Sequence, residues 1–233
     1  MRELPPAAGF WGALPGPDAD GLRALGRVSQ FGRGAALCTE GEPATHVFVL
    51  LTGWVKILNT TREGAEVLLA LRGQGDVVGE RAAELEGYRT ATARALVRTE
   101  ALAVISGRFR AFLDSHPAAD RAFRHAMTQR GREADEALRA RAGSSGAERL
   151  ARLLLDLSAR CGEATEQGVT IAVPLSQADL ASWIGVARAT VTRALQQWRR
   201  RGLIRTVRGR LTVADASGLR RAAGLPPPGA GDW

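Results

Sequence analysis

Apolar residues in the first half of the chain fall in short runs interrupted by glycine: Val47 to Leu51, Val55 to Leu58, Val67 to Leu71, Val77-Val78, Ala91 to Ala95 and Ala101 to Ile105. Runs of this length, each ended by glycine or a polar turn, predict the strands of an antiparallel roll or barrel. Gly53, Gly64 and Gly75 stand at the expected corners, and Arg62-Glu63-Gly64 reads as a hairpin tip. From Ala118 to about Ala142 the spacing changes. Phe123, Met127, Arg130, Ala134, Ala137 or Leu138, and Arg141 recur at three- and four-residue steps, which predicts one long helix with a packing seam.

A third pattern fills the end of the chain. Ser176 can cap a helix and Asp179 can answer it as the other half of a capping box, with Leu180, Ala181 and Ile184 following at helical spacing. Gly185 then marks a tight stop. A second helix, roughly Arg188 to Arg200, would bury Val191, Ala194, Leu195 and Trp198 and present Arg188, Ala189, Thr192 and Arg193. Gly202 to Val207, the turn Arg208-Gly209-Arg210, and Leu211 to Val213 make a basic two-stranded wing. Two helices at a tight glycine turn, followed by a wing, predict a winged helix-turn-helix, a module that lays its second helix in the major groove of double-stranded DNA.

Charge sharpens this reading. The chain has 233 residues and a net charge of +8, and the thirty-five positions from Leu180 to Ala214 carry eight arginines and no acid. From Gly146 onward there are thirteen arginines against seven acids, a net of +6, so the basic character belongs to the last third. That is the electrostatic footprint of a polyanion binder. The length suits about two domains. The chain contains no apolar run long enough to span a membrane, and Met1 to Pro6 lack the apolar core of a secretory signal, so a cytoplasmic location without membrane contact is expected. Two cysteines, Cys38 and Cys161, and three histidines without ligand spacing predict neither a metal site nor a tightly bound cofactor. No nucleophile or phosphate-loop motif supports an enzyme, so no catalytic residues are assigned. The segment from Leu225 to Trp233, rich in proline and glycine, reads as a disordered end.

Within the roll stand Glu40-Gly41-Glu42-Pro43, Gly75-Asp76, and Gly79-Glu80 followed nine residues on by Arg89-Thr90-Ala91. With the winged helix-turn-helix in this order, the chain resembles the catabolite activator (Crp/Fnr) family of transcription regulators over about residues 10 to 222. The resemblance implies an α+β architecture: an effector-sensing antiparallel β-roll of the cyclic-nucleotide-binding type with flanking helices (1–117), a long dimerisation helix and hinge (118–145), and a winged helix-turn-helix domain (146–233) with its disordered tail from about 225.

By the same resemblance Arg89 takes the phosphate of a cyclic nucleotide, Thr90 adds a hydroxyl, Gly79 lets the backbone approach, and Glu80 accepts from the ribose 2′-hydroxyl. A cyclic phosphate needs a fixed cation and backbone N–H groups, which this set can supply. Arg130 matches a family arginine near the phosphate. Ala134 and Asp135 stand where the best-known cyclic-AMP member has two hydroxyl residues that read adenine. A carboxylate at Asp135 can accept from the amine of adenine or from the paired N–H donors of guanine, so cyclic AMP is the first effector and cyclic GMP the second.

For DNA, the resemblance places Arg188 and Arg193 at the two base-reading positions, and Thr190 is expected to reach a phosphate. Ala189 stands where the family often has a glutamate that reads cytosine. Arg208 and Arg210, with Arg199 to Arg201 and Arg205, supply backbone contacts. A homodimer on a palindrome, acting with RNA polymerase, is the implied assembly. Three alternatives stand beside it: a regulator of this family that binds no cyclic nucleotide and is constitutive or senses another signal, a redox or haem sensor built on Cys38 or His46, and a nucleotide-binding regulatory subunit that uses the helix-turn-helix to dock protein. For the pocket itself, the plainer reading of Glu80 and Arg89 is a surface ion pair.

Overall fold

The computed structural model describes residues 9–80, 87–207 and 209–226, with the side chains of 140–142 outside the description. The chain divides into two compact units, Met1–Ala134 and Asp135–Trp233. Among the described residues no helix is long and apolar enough to cross a membrane.

In the first unit, helices α1 (Gly9–Gly12) and α2 (Gly16–Leu25) precede eight strands: β1 (Gly26–Phe31), β2 (Ala36–Cys38), β3 (His46–Thr52), β4 (Val55–Thr60), β5 (Glu66–Arg72), β6 (Val77–Val78), β7 (Thr92–Ala95) and β8 (Thr99–Ile105). Two four-stranded sheets, in the orders β1-β8-β3-β6 and β2-β7-β4-β5, pair antiparallel throughout and make the roll. All six strands expected from the apolar runs are present. The two that the runs do not show are β1, in which no residue is fully buried, and β2, only three residues long. Gly53, Gly64 and Gly75 hold φ of 86°, 80° and 86°, the left-handed turn geometry that favours glycine.

Helices α3 (Ser106–Ser115) and α4 (Pro117–Gly143) follow β8. Phe10 of α1, Phe109 of α3 and Phe123 of α4 pack edge-to-face with centroids 5.5 to 6.0 Å apart. The trio sits in one core with Leu22, Val47, Val49, Val77 and Leu102, so the start of α4 is fixed to the sheet that carries β6. Two turns beyond Phe123, that anchorage positions Arg130.

In the second unit, α5 (Gly146–Cys161) begins with a full capping box between Ser145 and Glu148 and buries Leu150, Ala151, Leu154 and Leu157. Strands β9 (Gly162–Thr165) and β10 (Gly168–Ile171), helices α6 (Gln177–Ile184) and α7 (Arg188–Arg200), strands β11 (Ile204–Val207) and β12 (Arg210–Val213), and α8 (Ala216–Ala222) complete it. The wing is wider than the two strands expected. Its sheet runs β11-β12-β10-β9, joined across the middle by the buried Thr170 and Thr212 hydroxyls at 2.9 Å. Strand β9 is exposed at all four positions, so no apolar alternation marks it in the sequence.

Cys161 closes α5 with 8% of its surface exposed, and burial pushes its thiol from an ordinary 9.0 up to about 11. The folded state therefore keeps a proton that the unfolded chain releases first, and stability falls as pH rises from 9.0 toward about 11. One such proton sets a slope of at most ~1.4 kcal/mol per pH unit. Urea denaturation across this range should show a steeper decline for the wild type than for Cys161→Ala; parallel curves would count against a buried neutral thiol.

Candidate functional site

Of the sequence-predicted pocket residues, Gly79, Glu80, Arg89 and Arg130 converge at the β6 end of the roll. Arg89 is 5% exposed, and its own backbone is clamped first: its N–H donates to Glu42 O at 2.7 Å and its carbonyl accepts from Gly41 N at 2.9 Å. The Glu40-Gly41-Glu42-Pro43 turn, with Gly41 at φ 84°, thus serves to hold Arg89. The Arg89 guanidinium donates to Gly79 O at 3.0 Å and His46 O at 2.5 Å, and its carbon lies 5.8 Å from the centre of the Phe48 ring. Among the described residues it has no carboxylate partner. It is a buried cation held by dipoles and an aromatic face, an arrangement that leaves its charge available to an anion.

Glu80, also buried, pairs with a different arginine. Arg130 of α4 donates through Nη1 to Glu80 Oε1 at 2.7 Å, and through Nη2 to Val77 O at 2.7 Å and Asp76 Oδ1 at 3.4 Å. The alternative of a surface Glu80–Arg89 ion pair is corrected on both counts: the partner is Arg130, and the groups are buried, at 8% and 5% exposure. Asp76, which also accepts from Gly73 N at 2.8 Å, entered the sequence reading only as part of a motif, and its pairing with a helix fifty-four residues away has no local signal. Thr90 is exposed, and its carbonyl accepts from Asn59 Nδ2 at 3.0 Å. Asp135 is exposed on α4 and belongs to the second unit.

The DNA-reading candidates lie on α6, α7 and the wing. Ser176 and Asp179 form the expected capping box, Gly185 turns at φ 67°, and Ala187 starts α7 with no side-chain cap. Val191, Ala194, Leu195 and Trp198 are buried, so the facing side of α7 presents Arg188, Ala189 and Arg193, all exposed. The two threonines are less open. Thr190 is half-buried with its methyl turned toward Gly146 of α5, and the Thr192 hydroxyl donates toward Gln177 Oε1 at 2.7 Å and Arg188 O at 3.1 Å. Gln177 is a residue the sequence reading missed, since nothing in its spacing links it to Thr192. Arg210 lies 3.8 Å from Glu163 of β9, with both side chains largely exposed. Arg208 lies outside the described residues.

Two family models match the chain: a cyclic nucleotide-binding domain over residues 28–116 and a Crp-like helix-turn-helix domain over residues 148–222. The transcriptional regulator LdrP of Thermus thermophilus is 30% identical over 198 residues, 84% of this chain and 97% of that protein. The chain belongs to the Crp/Fnr family of transcription regulators. A CRP-like cAMP-activated global transcriptional regulator of Mycobacterium tuberculosis is 27% identical over 215 residues, 91% of this chain and 96% of its own. A solved Crp-family regulator, also from Thermus thermophilus, superposes with a TM-score of 0.74 at 26% identity, covering 87% of this chain and all of that one. Members of the Crp/Fnr family are DNA-binding regulators, not enzymes.

In this Crp/Fnr chain Gly79 carries a double constraint. Its φ is 85°, and a Cβ placed there would meet Arg89 Nη1 at 2.2 Å. Gly64 has nearly the same φ, 80°, with nothing within 4 Å. Chemical denaturation should therefore show Gly79→Ala losing more stability than Gly64→Ala, whose cost is the backbone term alone, ~1–3 kcal/mol. Equal losses would mean that the Arg89 guanidinium does not pack against Gly79.

Proposed function

We propose that this Crp/Fnr regulator acts as a homodimer whose binding to a palindromic DNA site is controlled by a cyclic nucleotide held in the roll. The observation that carries the reading is the buried Arg89 guanidinium, with no carboxylate partner among the described residues, beside the buried Glu80 carboxylate held by Arg130. Arg89 supplies the charge for a phosphate and Glu80 Oε2 the acceptor for a ribose hydroxyl; Thr90 adds a hydroxyl at the rim. Cyclic AMP is the first effector, in line with the name of the mycobacterial relative, and cyclic GMP the second. The dimer forms along α4, and Asp135 is the candidate reader of the nucleobase.

Control follows from differential binding. Glu80 and Arg130 join the nucleotide site to α4, so a ligand that accepts from Arg89 and donates to Glu80 changes the partners of the residue that holds the helix. To switch the protein, it must bind the DNA-competent geometry more tightly than the other by ~1–3 kcal/mol. That geometry sets the two α7 helices about 34 Å apart for successive major grooves. Arg188 and Arg193 read guanines beside Ala189 and Thr192, Arg210, Arg208 and Thr190 serve the phosphates, and the bound dimer meets RNA polymerase.

A second reading, a Crp/Fnr regulator that needs no cyclic nucleotide, draws on the fact that Glu80 and Arg89 already have protein partners. Calorimetry with cyclic AMP and cyclic GMP separates the two. The effector reading expects binding heat in the wild type and a loss of about tenfold or more in affinity for Arg89→Ala, the scale of one charged hydrogen-bonding partner. No heat with either nucleotide leaves only the second reading.

Selection of binding sites from random DNA should return guanines opposite Arg188 and Arg193 and no cytosine preference beneath Ala189, whose methyl cannot accept from cytosine N4. A strong cytosine preference at that step would sink this assignment of α7.

A further inference from the structure

Beyond Arg130 the charged row at the pocket continues into residues that no motif assigns. Arg72, the last residue of β5, has a side chain only 14% exposed, and its Nη1 donates to Leu71 O at 2.9 Å and lies 3.9 Å from Glu133 Oε2. Glu133 sits three residues past Arg130 on α4, so the two share one face of that helix. Along the backbone the order is Arg72, then Asp76 and Val77, which hold Arg130, then Gly79, which holds Arg89. Three arginines are therefore ranged along one segment, and Glu80, the residue after Gly79, reaches back to Arg130.

This order gives the row a direction. A nucleotide with its phosphate on Arg89 and its ribose on Glu80 runs toward Arg130, which pairs with Glu80, and so toward the end of the row that Arg72 occupies. Burial and the neighbouring Arg130 guanidinium both push Arg72 below its ordinary value, though an arginine remains charged there. Its ion pair with Glu133 is past hydrogen-bonding distance, so the fork is oriented but not saturated by that carboxylate. A planar cation at a nucleobase subsite favours an edge with two adjacent acceptors. Guanine offers O6 and N7, whereas adenine sets an amine donor beside N7.

We propose that Arg72 is a specificity-determining residue of this pocket, aimed by Glu133, and that its guanidinium selects a guanine base by bidentate donation to O6 and N7. The inference rests on the effector reading above, and it reorders the two effectors in favour of cyclic GMP. It also separates two ways of preferring guanine. Arg72 needs only O6 and N7, while a carboxylate such as Asp135 needs the exocyclic amine of the base. Cyclic IMP keeps O6 and N7 and lacks that amine.

The test is equilibrium binding of cyclic GMP, cyclic IMP and cyclic AMP to the full-length wild type, Arg72→Leu and Arg72→Lys, with melting temperatures of each protein as the folding control. The wild type should bind cyclic GMP and cyclic IMP alike, each about tenfold or more tighter than cyclic AMP, the lower range for one bidentate arginine contact. Arg72→Leu should bring the three nucleotides within about threefold of one another, and Arg72→Lys, which keeps charge but not the fork, should lose most of the preference. A wild type that favours cyclic AMP or shows no preference overturns the proposal, as does a preference that survives in Arg72→Leu or Arg72→Lys. Cyclic IMP falling to the level of cyclic AMP overturns it in favour of a carboxylate reader. Failure of all three nucleotides to bind wild type removes the effector reading as well, an outcome distinct from binding without discrimination.

Discussion

The contact on which the first unit depends is the Arg130 fork. One side chain from α4 reaches a carboxylate, a backbone carbonyl and a second carboxylate of the β6 segment at 2.7, 2.7 and 3.4 Å. A buried ion pair of this kind contributes little net stability, because desolvating both charges offsets most of their attraction. Its effect is on specificity: removing either partner leaves an uncompensated charge in a dry site, so the helix has one register on the roll and no cheap second one. The edge-to-face packing of Phe10, Phe109 and Phe123 fixes the start of the same helix by apolar contact. Polar and apolar anchors two turns apart hold one segment at two points.

Against that background Arg89 is the exception. Arg130 and Arg72 each lie beside carboxylates, whereas Arg89 is held by carbonyls and an aromatic ring. Neutral dipoles position a guanidinium without cancelling its charge. The turn at Gly41 and the positive φ of Gly79 exist in service of that placement, one fixing its backbone and the other making room for its side chain.

The legible parts of the molecule were those written in local periodicity. Six strands, the glycine corners, the capping box at Ser176, the turn at Gly185 and the buried stripe of α7 could all be read from spacing, because each depends on neighbours within a few residues. The strands β1, β2, β9 and β10 were not, since β1 and β9 lack fully buried positions and β2 and β10 are too short to show a period. At the site, the sequence placed Glu80 and Arg89 in one cassette but could not show which arginine meets Glu80. The answer depends on a helix fifty residues away, and the sequence carries no register between the two. The Thr192–Gln177 link and the Arg72–Glu133 approach were illegible for the same reason.

The acid-free stretch from Leu180 to Ala214 has a cost that falls on the second unit itself. Eight like charges on a small folded body repel one another, and the compact state bears that repulsion more than the expanded chain does. Any polyanion that binds only the folded form returns the lost stability by mass action. For a regulator, occupancy and durability then become one variable: molecules seated on nucleic acid resist unfolding and proteolysis, while unseated ones are the first to be cleared. The arginine face therefore ties the stability of the second unit to its occupancy.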